Sequence, residues 1–244
     1  MRTLARGLAL LLVALASLQI FLVARVALMR WVDPQSTTFQ RSEWWRLQHE
    51  RGARFAWRQQ WVDGGQIAES LKRAVIASED AGFVEHSGVE WDAIERAWER
   101  NQRRQAIDER RAAKPGARQR PVKLVCGSTI TQQLAKNLFL SGERTLARKA
   151  QEFMLTWTLE ALLSKRRILE IYLNSVEWGE GVFGAQAAAQ HYHRVDATRL
   201  GPQAAAHLAV LLPAPKRFER HPGSAYVSGR AATIAARMDD VELP

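Results

Sequence analysis

Two adjacent carboxylates, Glu79 and Asp80, stand where a predicted helix ends. Neighbouring carboxylates repel each other, so the pKa of one of them can rise toward the range useful to a general base. Gly82 and Gly88 follow and break the helix, which places the pair at its end. From these residues alone, a solvated acidic pair is the more usual interpretation, and His86 in the same loop more often packs or caps than reacts.

The segment 127–137, with the sequence GSTITQQLAKN, predicts the start of a second helix. Either Ser128 or Thr129 can cap it, and Thr129 with Gln132 fits a capping box. In such a helix Thr129, Gln133 and Lys136 share one face. A hydroxyl, an amide and an ammonium aligned there could bind an anionic, oxygen-rich ligand. An ordinary polar surface is the alternative.

Two further segments carry charge at helical spacing. Arg148 and Glu152 are one turn apart and can form an ion pair. The run from Lys165 to Asn174 predicts a helix with a sharp stop, and the loop after it is rich in glycine: Gly179, Gly181 and Gly184.

The elements that must position these residues are predicted to be helices. Apolar residues recur at helical spacing from Gln66 onward, and alternation with period two is almost missing. The same apolar stripes predict helices over 129–140, 148–163, 165–174 and 203–212.

The N-terminus predicts a membrane anchor. Leu8–Ala24 is apolar apart from two residues, and the stretch as far as Met29 would span about 33 Å as a helix, against roughly 30 Å of hydrocarbon. Arg2 and Arg6 precede it, as a cytoplasmic N-terminus requires. A cleaved signal peptide is the alternative, because Ala14–Ala16 fits a cleavage site. In both cases the rest of the chain lies outside the cytoplasm.

Composition narrows the function classes. The chain has 244 residues, a formal charge of +10 and one cysteine, which excludes an internal disulfide framework and a cysteine-based zinc site. The charge favours anionic partners, and the expected location argues against a role on DNA. Three regions are predicted: a cytoplasmic stub and anchor over 1–30, a membrane-proximal Trp/Arg-rich segment over 31–65, and a domain over 66–244.

Two of these regions leave alternatives open. The Trp/Arg-rich segment suits a membrane interface, but it also suits an amphipathic helix packed on the domain. Residues 100–123 form a strongly basic stretch that predicts a solvated loop. No Ser-x-x-Lys occurs, so an acyl-serine domain is missing.

Taken together, the order and spacing of these segments resemble the monofunctional biosynthetic peptidoglycan transglycosylases. Their catalytic domain also forms the glycosyltransferase half of bifunctional penicillin-binding proteins. The resemblance covers roughly Gln66–Pro215 and includes the anchor. Three positions depart from the family's pattern: Cys126 stands for a usual Gly, Glu90 for a common Asp, and Ala204 for a frequent Glu.

The resemblance implies a mainly α, lysozyme-like, two-lobed domain behind a single N-terminal transmembrane helix. It implies polymerisation of lipid II into glycan strands, by inverting transfer with release of polyprenyl diphosphate. Glu79 and Glu152 match the two catalytic carboxylates. The positions that match substrate-binding or site-supporting residues are Asp80, Ser128, Thr129, Gln133, Lys136, Asn137 and Arg148.

The resemblance implies that no cofactor is required. For Glu152 it leaves two roles open: the residue either positions the basic side chains near it or binds a divalent cation, Mg or Mn. The expected partners are lipid II, the growing glycan chain, membrane phospholipid and other cell-wall synthesis or division proteins, with no nucleic acid. The expected location is the bacterial inner membrane, with the domain on the periplasmic side. A lysozyme-like enzyme that cleaves peptidoglycan and a non-catalytic anchored scaffold are the alternatives.

Overall fold

The fold is mainly α-helical, as predicted. The computed structural model describes residues 2–92, 95, 97–100, 102, 103, 107, 127–143 and 145–244, so Cys126 and most of the basic stretch 100–123 lie outside the described residues. The long helices are α1 (Arg2–Leu28), α2 (Thr38–Arg51), α3 (Glu69–Glu79), α4 (Ile130–Phe139), α5 (Leu146–Leu162), α6 (Lys165–Ser175), α7 (Ala185–His193), α8 (Pro202–Leu211) and α10 (Ala225–Ala235). A short α9 covers Pro215–Phe218.

Hydroxyl side chains fix where many of these helices begin. At five N-caps, the side-chain oxygen of a Ser or Thr accepts a hydrogen bond from the backbone N–H of the residue three positions later. This bond satisfies one of the free donors of the first turn. The caps are Thr37, Thr129, Thr145, Ser164 and Ser224. The predicted capping box of Thr129 and Gln132 is confirmed, since Gln132 also accepts the N–H of Thr129.

Helices α3, α8 and α10 contact one another in one group, and α4, α5 and α6 form a second group. The predicted apolar stripes supply the residues that pack there. Leu71, Val75 and Ile76 of α3 are buried, and so are Leu134 of α4 and Leu159 of α5. These side chains belong to a single apolar core. The two groups therefore share one core.

The fold also contains a three-stranded sheet. Its strand order is β1 (Arg58–Gln59), β3 (Val182–Phe183) and β2 (Glu177–Gly179). β1 runs parallel to β3 with Arg58 opposite Val182, and β2 runs antiparallel to β3. The turn between β2 and β3 needs Gly181, whose φ is 74° and whose missing side chain leaves room for the carbonyl oxygen of Ala56. Strands this short carry no alternating pattern, which is why the sequence did not reveal them.

The apolar helix α1 is long enough and apolar enough to span a membrane, and most of its side chains are exposed. Its C-terminal end is different, since Val26 is completely buried and the following Met29 nearly so. Arg167 of α6 donates a hydrogen bond to the carbonyl oxygen of Met29 (2.8 Å). The end of α1 is thus packed with the rest of the described chain.

Of the two interpretations of the Trp/Arg-rich segment, the helix packed on the domain describes part of it, and the membrane interface stays a prediction. One face of α2 packs on the domain through buried Gln40 and Leu47. Trp45 and Trp31 are exposed, as a membrane interface would require. The segment also supplies β1 to the sheet, so it is packed with the domain that follows.

Candidate active site

Glu79 lies where the two helix groups meet. It is the last residue of α3, and its Oε2 accepts a hydrogen bond from Nε2 of Gln133 on α4 (2.9 Å). Its other oxygen, Oε1, lies 3.5 Å from the hydroxyl of Ser78. Burial raises the pKa of Glu79, and the neighbouring charge of Asp80 raises it further, as predicted. The hydrogen bonds from Gln133 and Ser78 lower this pKa, and so does the positive charge of Arg230.

Asp80 holds the loop beside Glu79. Its buried carboxylate accepts the backbone N–H of Ile130 (2.9 Å) at the start of α4, where the helix dipole stabilises an anion. The other oxygen lies 2.8 Å from Nε2 of His86, and Nδ1 of His86 accepts the N–H of Gly88 (3.0 Å). These contacts suit the expectation that Asp80 and His86 support local structure, and a substrate-binding role for Asp80 stays a prediction.

Gln133 is oriented by a tyrosine that the sequence analysis did not assign to the site. The hydroxyl of Tyr172 donates to Oε1 of Gln133 (3.0 Å), which leaves the amide N–H₂ to face Glu79. Tyr172 is fully buried on α6, and burial raises its pKa well above the ordinary value, so the phenol stays protonated and remains a donor. The only sequence feature that could have drawn attention to Tyr172 is its place in the predicted helix from Lys165 to Asn174.

The remaining predicted residues of α4 have different surroundings. Thr129 is buried, and its hydroxyl is already used, because it donates to the carbonyl oxygen of Gly88 (2.6 Å) and caps the helix. Lys136 is exposed one turn beyond Gln133, and it forms no ion pair with any residue of the described chain. Substrate-binding roles for Ser128, Thr129 and Asn137 stay predictions.

The predicted ion pair on α5 is present. Nη1 of Arg148 lies 2.9 Å from one oxygen of buried Glu152, and Nζ of Lys149 lies 2.5 Å from the other. The Nε donor of Arg148 is buried without a hydrogen-bond partner among the described residues. An unpaired buried donor on a cation is costly unless a ligand satisfies it, and an anionic oxygen is the acceptor that suits a guanidinium.

One group of side chains has metal-ligand character. Asp80, His86 and Glu90 place ligand atoms within 4.8 Å of one another. Both oxygens of Asp80 and both ring nitrogens of His86 already take part in the contacts that shape the loop. These contacts account for the positions of Asp80 and His86 without an ion.

A further basic residue, Arg230 of α10, comes from the same helix group as Glu79. Its positive charge lowers the pKa of Glu79. The sequence offered no local signal for it, since 150 residues separate the two and no periodicity connects them. The structure thus brings Glu79, Gln133, Tyr172 and Arg230 together. Lys136 lies on the Gln133 helix, and Arg148 lies on the helix packed against it.

Comparison with known proteins covers most of the chain. Residues 48–239 match the family model described as Transglycosylase. A protein of Burkholderia pseudomallei (strain K96243) named biosynthetic peptidoglycan transglycosylase is 51% identical over 226 residues, 93% of this chain and 82% of that protein. A protein of the same name from Paraburkholderia phytofirmans (strain DSM 17436 / LMG 22146 / PsJN) is 48% identical over 232 residues, 95% of this chain and 90% of that protein.

Proposed function

This chain belongs to the transglycosylase family and is a peptidoglycan glycosyltransferase, and on that premise we propose that Glu79 is its general base. The hydrogen bond from Gln133 to Glu79 carries this proposal, because it ties the carboxylate to the helix that bears Lys136. Burial raises the pKa of Glu79, which makes its carboxylate a stronger base than that of a solvated glutamate. Lipid II and the growing glycan chain are its substrates.

The reaction joins two lipid-linked saccharides. The acceptor 4-hydroxyl attacks the anomeric carbon of the donor, a new C–O bond forms, and its proton passes to Glu79. The bond from the anomeric carbon to the diphosphate oxygen breaks, and polyprenyl diphosphate leaves with the electron pair. Attack from the face opposite the leaving group inverts the configuration. The base and the diphosphate site must therefore lie on opposite sides of one sugar ring.

The diphosphate needs charge stabilisation rather than a proton, and Lys136 and Arg148 supply it in this proposal. The exposed ammonium of Lys136 and the unpartnered Nε of Arg148 support the assignment. Glu152 positions Arg148 and Lys149, since each of its oxygens holds one of them. A divalent cation, Mg or Mn, would then bind through the substrate diphosphate, because a direct bond to Glu152 would displace a lysine or an arginine.

We further propose that α1 anchors the enzyme in the inner membrane with the domain on the periplasmic side. The exposed apolar surface of α1 and the positive residues Arg2 and Arg6 before it support this orientation. The exposed rings of Trp31 and Trp45 suit contact with phospholipid headgroups. A polyprenyl tail stays in the bilayer, so a site near the headgroups can reach the diphosphate. Other cell-wall synthesis or division proteins are proposed partners.

The decisive experiment gives the purified full-length protein either labelled lipid II or finished peptidoglycan. We expect it to polymerise lipid II and to leave the finished glycan intact, whereas a cleaving enzyme would do the reverse and a scaffold would do neither. Glu79→Gln keeps the shape but cannot accept the proton, so polymerisation should fall at least ~10²-fold. Glu85→Gln, an exposed glutamate in the same loop, is the matched control. Full activity of Glu79→Gln would refute the assignment.

The charge-stabilising role of Lys136 has its own test. Lys136→Ala should lower turnover by at least ~10²-fold, the scale for loss of one preorganised group that stabilises the transition state. Lys136→Arg keeps the positive charge and should recover part of the loss. The measurement is the initial rate of polymerisation at saturating lipid II. Equal rates for Lys136→Ala and the wild type would place the leaving-group site elsewhere.

A further inference from the structure

A cavity of about 260 Å³ lies where the apolar helix α1 ends and the chain continues into α2. Its wall includes Arg25 from the last turn of α1, Arg41 from α2, and Ser36 from the connection between the two helices. Leu28 and Val32 supply an apolar side of the wall, and both are exposed. The cavity therefore combines positive charge with apolar surface at one end of α1.

The positive charge of Arg41 is oriented by neutral groups. Its Nη1 donates to the hydroxyl of Ser36 (3.0 Å) and to the carbonyl oxygen of the same residue (3.3 Å), and its Nη2 donates to the hydroxyl of Thr38 (3.1 Å). Arg41 forms no ion pair with an acidic side chain of the described residues. A guanidinium has five N–H donors, so donors remain for an anion.

Arg25 is held by aromatic rings. Its Cζ lies 5.0 Å from the centroid of the Phe139 ring and 5.8 Å from that of Phe21. Among the described residues it has no acidic partner. The acidic side chain in the wall is Asp33, and its Oδ1 is 2.6 Å from Nη2 of Arg167. Because Arg167 offsets that charge, the surroundings of the cavity are positive overall.

The spacing along α1 puts the cavity at the depth of lipid headgroups, on the premise that α1 is the proposed anchor. Arg25 lies 19 positions after Arg6, which is about 28 Å along a helix and close to the roughly 30 Å of a hydrocarbon core. With Arg6 at one surface of the bilayer, Arg25 reaches the other. An arginine near the end of a spanning helix extends its guanidinium toward the headgroups, where the lipid phosphates lie.

We infer that this cavity binds the phosphate of an anionic phospholipid through Arg25 and Arg41, with its apolar side against the upper part of the acyl chains. The inference rests on the proposed anchor. Guanidinium groups suit phosphate because they donate paired N–H bonds to its oxygens. A zwitterionic headgroup brings its own cation, so two arginines favour a headgroup with a net negative charge. The proposed diphosphate site for lipid II is separate, since Lys136 and Arg148 do not line this cavity.

The test measures lipid binding by the full-length protein in nonionic detergent. Native mass spectrometry gives the dissociation constant of the first bound lipid, for phosphatidylglycerol and for phosphatidylcholine in turn. We expect the wild type to bind phosphatidylglycerol at least about tenfold more tightly. Arg41→Ala should weaken binding of phosphatidylglycerol about tenfold, the scale of one hydrogen bond between charged groups, and leave phosphatidylcholine unchanged. Arg41→Lys keeps the charge and should recover part of the affinity.

The matched control is Arg30→Ala, which removes the same charge from an exposed residue outside the cavity and should bind as the wild type does. Equal affinities of the wild type and Arg41→Ala, or an equal loss in Arg30→Ala, would overturn the inference, because the attraction would then be that of any basic chain. Displacement of phosphatidylglycerol by inorganic phosphate at equal concentration would overturn it too, since the acyl chains would contribute nothing.

Two further outcomes separate this site from the rest of the proposal. If Arg41→Ala weakened the binding of lipid II and left phosphatidylglycerol unaffected, the cavity would belong to the substrate and the inference would be wrong. Release of the wild type from lipid vesicles by alkaline carbonate would overturn the proposed anchor, and the inference with it. Loss of the phosphatidylglycerol preference in a protein that stays in the vesicles would overturn the inference alone.

Discussion

At the residue scale, the surroundings of Glu79 shift the pKa of its carboxylate in opposite directions. Burial raises its pKa, while the hydrogen bond from Gln133 lowers it by stabilising the charged form. Gln133 can give that hydrogen bond because Tyr172 holds the other end of its amide. The strength of the base therefore depends on a chain of three side chains from three helices.

Removing one member of this chain gives a prediction about pH. In Gln133→Ala the charged form of Glu79 loses its best donor, so the pKa of Glu79 should rise further. The base is active when deprotonated, so activity is lost as the pH falls through this pKa, and the acid limb of kcat/KM should move to higher pH. Tyr172→Phe should move it in the same direction by less. The measurement is kcat/KM for lipid II against pH.

A matched control is Gln190→Ala, an exposed glutamine on α7 whose hydrogen bond goes to Asp196. Its acid limb should coincide with that of the wild type. An unmoved limb in Gln133→Ala, or one moved to lower pH, would mean that Gln133 does not tune the base.

Local patterns predicted the residues whose partners lie within one helical turn. The capping box of Thr129 and Gln132 and the pair of Arg148 with Glu152 are examples, and both are present. The pairing of Gln133 with Glu79 spans 54 positions, and no local pattern encodes it. The resemblance implies the roles of these residues, but the contact of Tyr172 and the charge effect of Arg230 follow only from the folded chain.

At the scale of elements, the anchor helix contacts the helix that carries Arg148 and Glu152. Gln19 of α1 and Gln151 of α5 exchange two hydrogen bonds between their side-chain amides, 3.1 and 3.2 Å long. A glutamine in an otherwise apolar helix is expensive in lipid unless its amide is paired. The pairing fixes α5 against α1, and with it the depth of the proposed diphosphate site relative to the bilayer.

A double-mutant cycle tests this contact. Gln19→Leu and Gln151→Leu each leave one unpaired amide, so each should lower the free energy of unfolding by about 1 kcal/mol. In the double variant no amide is left unpaired, so the combined loss should be smaller than the sum of the single losses. Thermal unfolding in detergent micelles provides the measurement. Strictly additive losses would show that the two amides do not interact.

Helices were the elements that the sequence predicted well, because their apolar stripes extend over ten residues or more. The stripe predicted over 165–174 corresponds to α6, and the one over 203–212 corresponds to α8. β1 and β3 are two residues long each, and only their pairing with one another and with β2 defines them. Pairing is a property of the folded chain, so these strands had no signature in the sequence.

At the scale of the whole molecule, the proposed location requires a single chain to satisfy lipid and water at once. The exposed apolar surface of α1 suits a bilayer, and the formal charge of +10 favours an anionic membrane surface. The transition between the two environments falls near the end of α1. There, exposed side chains give way to side chains of the domain core: Leu28 is 55% exposed, whereas Met29 is 4% exposed.

This transition predicts that neighbouring residues differ sharply in their contribution to stability. Met29→Ala removes side-chain atoms from the core, which typically costs about 2–5 kcal/mol and should lower Tm by roughly 5–15 °C in a chain of this size. Leu28→Ala removes a side chain that faces away from the domain, so Tm should change by less than about 2 °C. Both are made in the full-length protein and unfolded in the same detergent. If the two variants lost equal stability, the end of α1 would not be part of the core, and the anchor would act only as a tether.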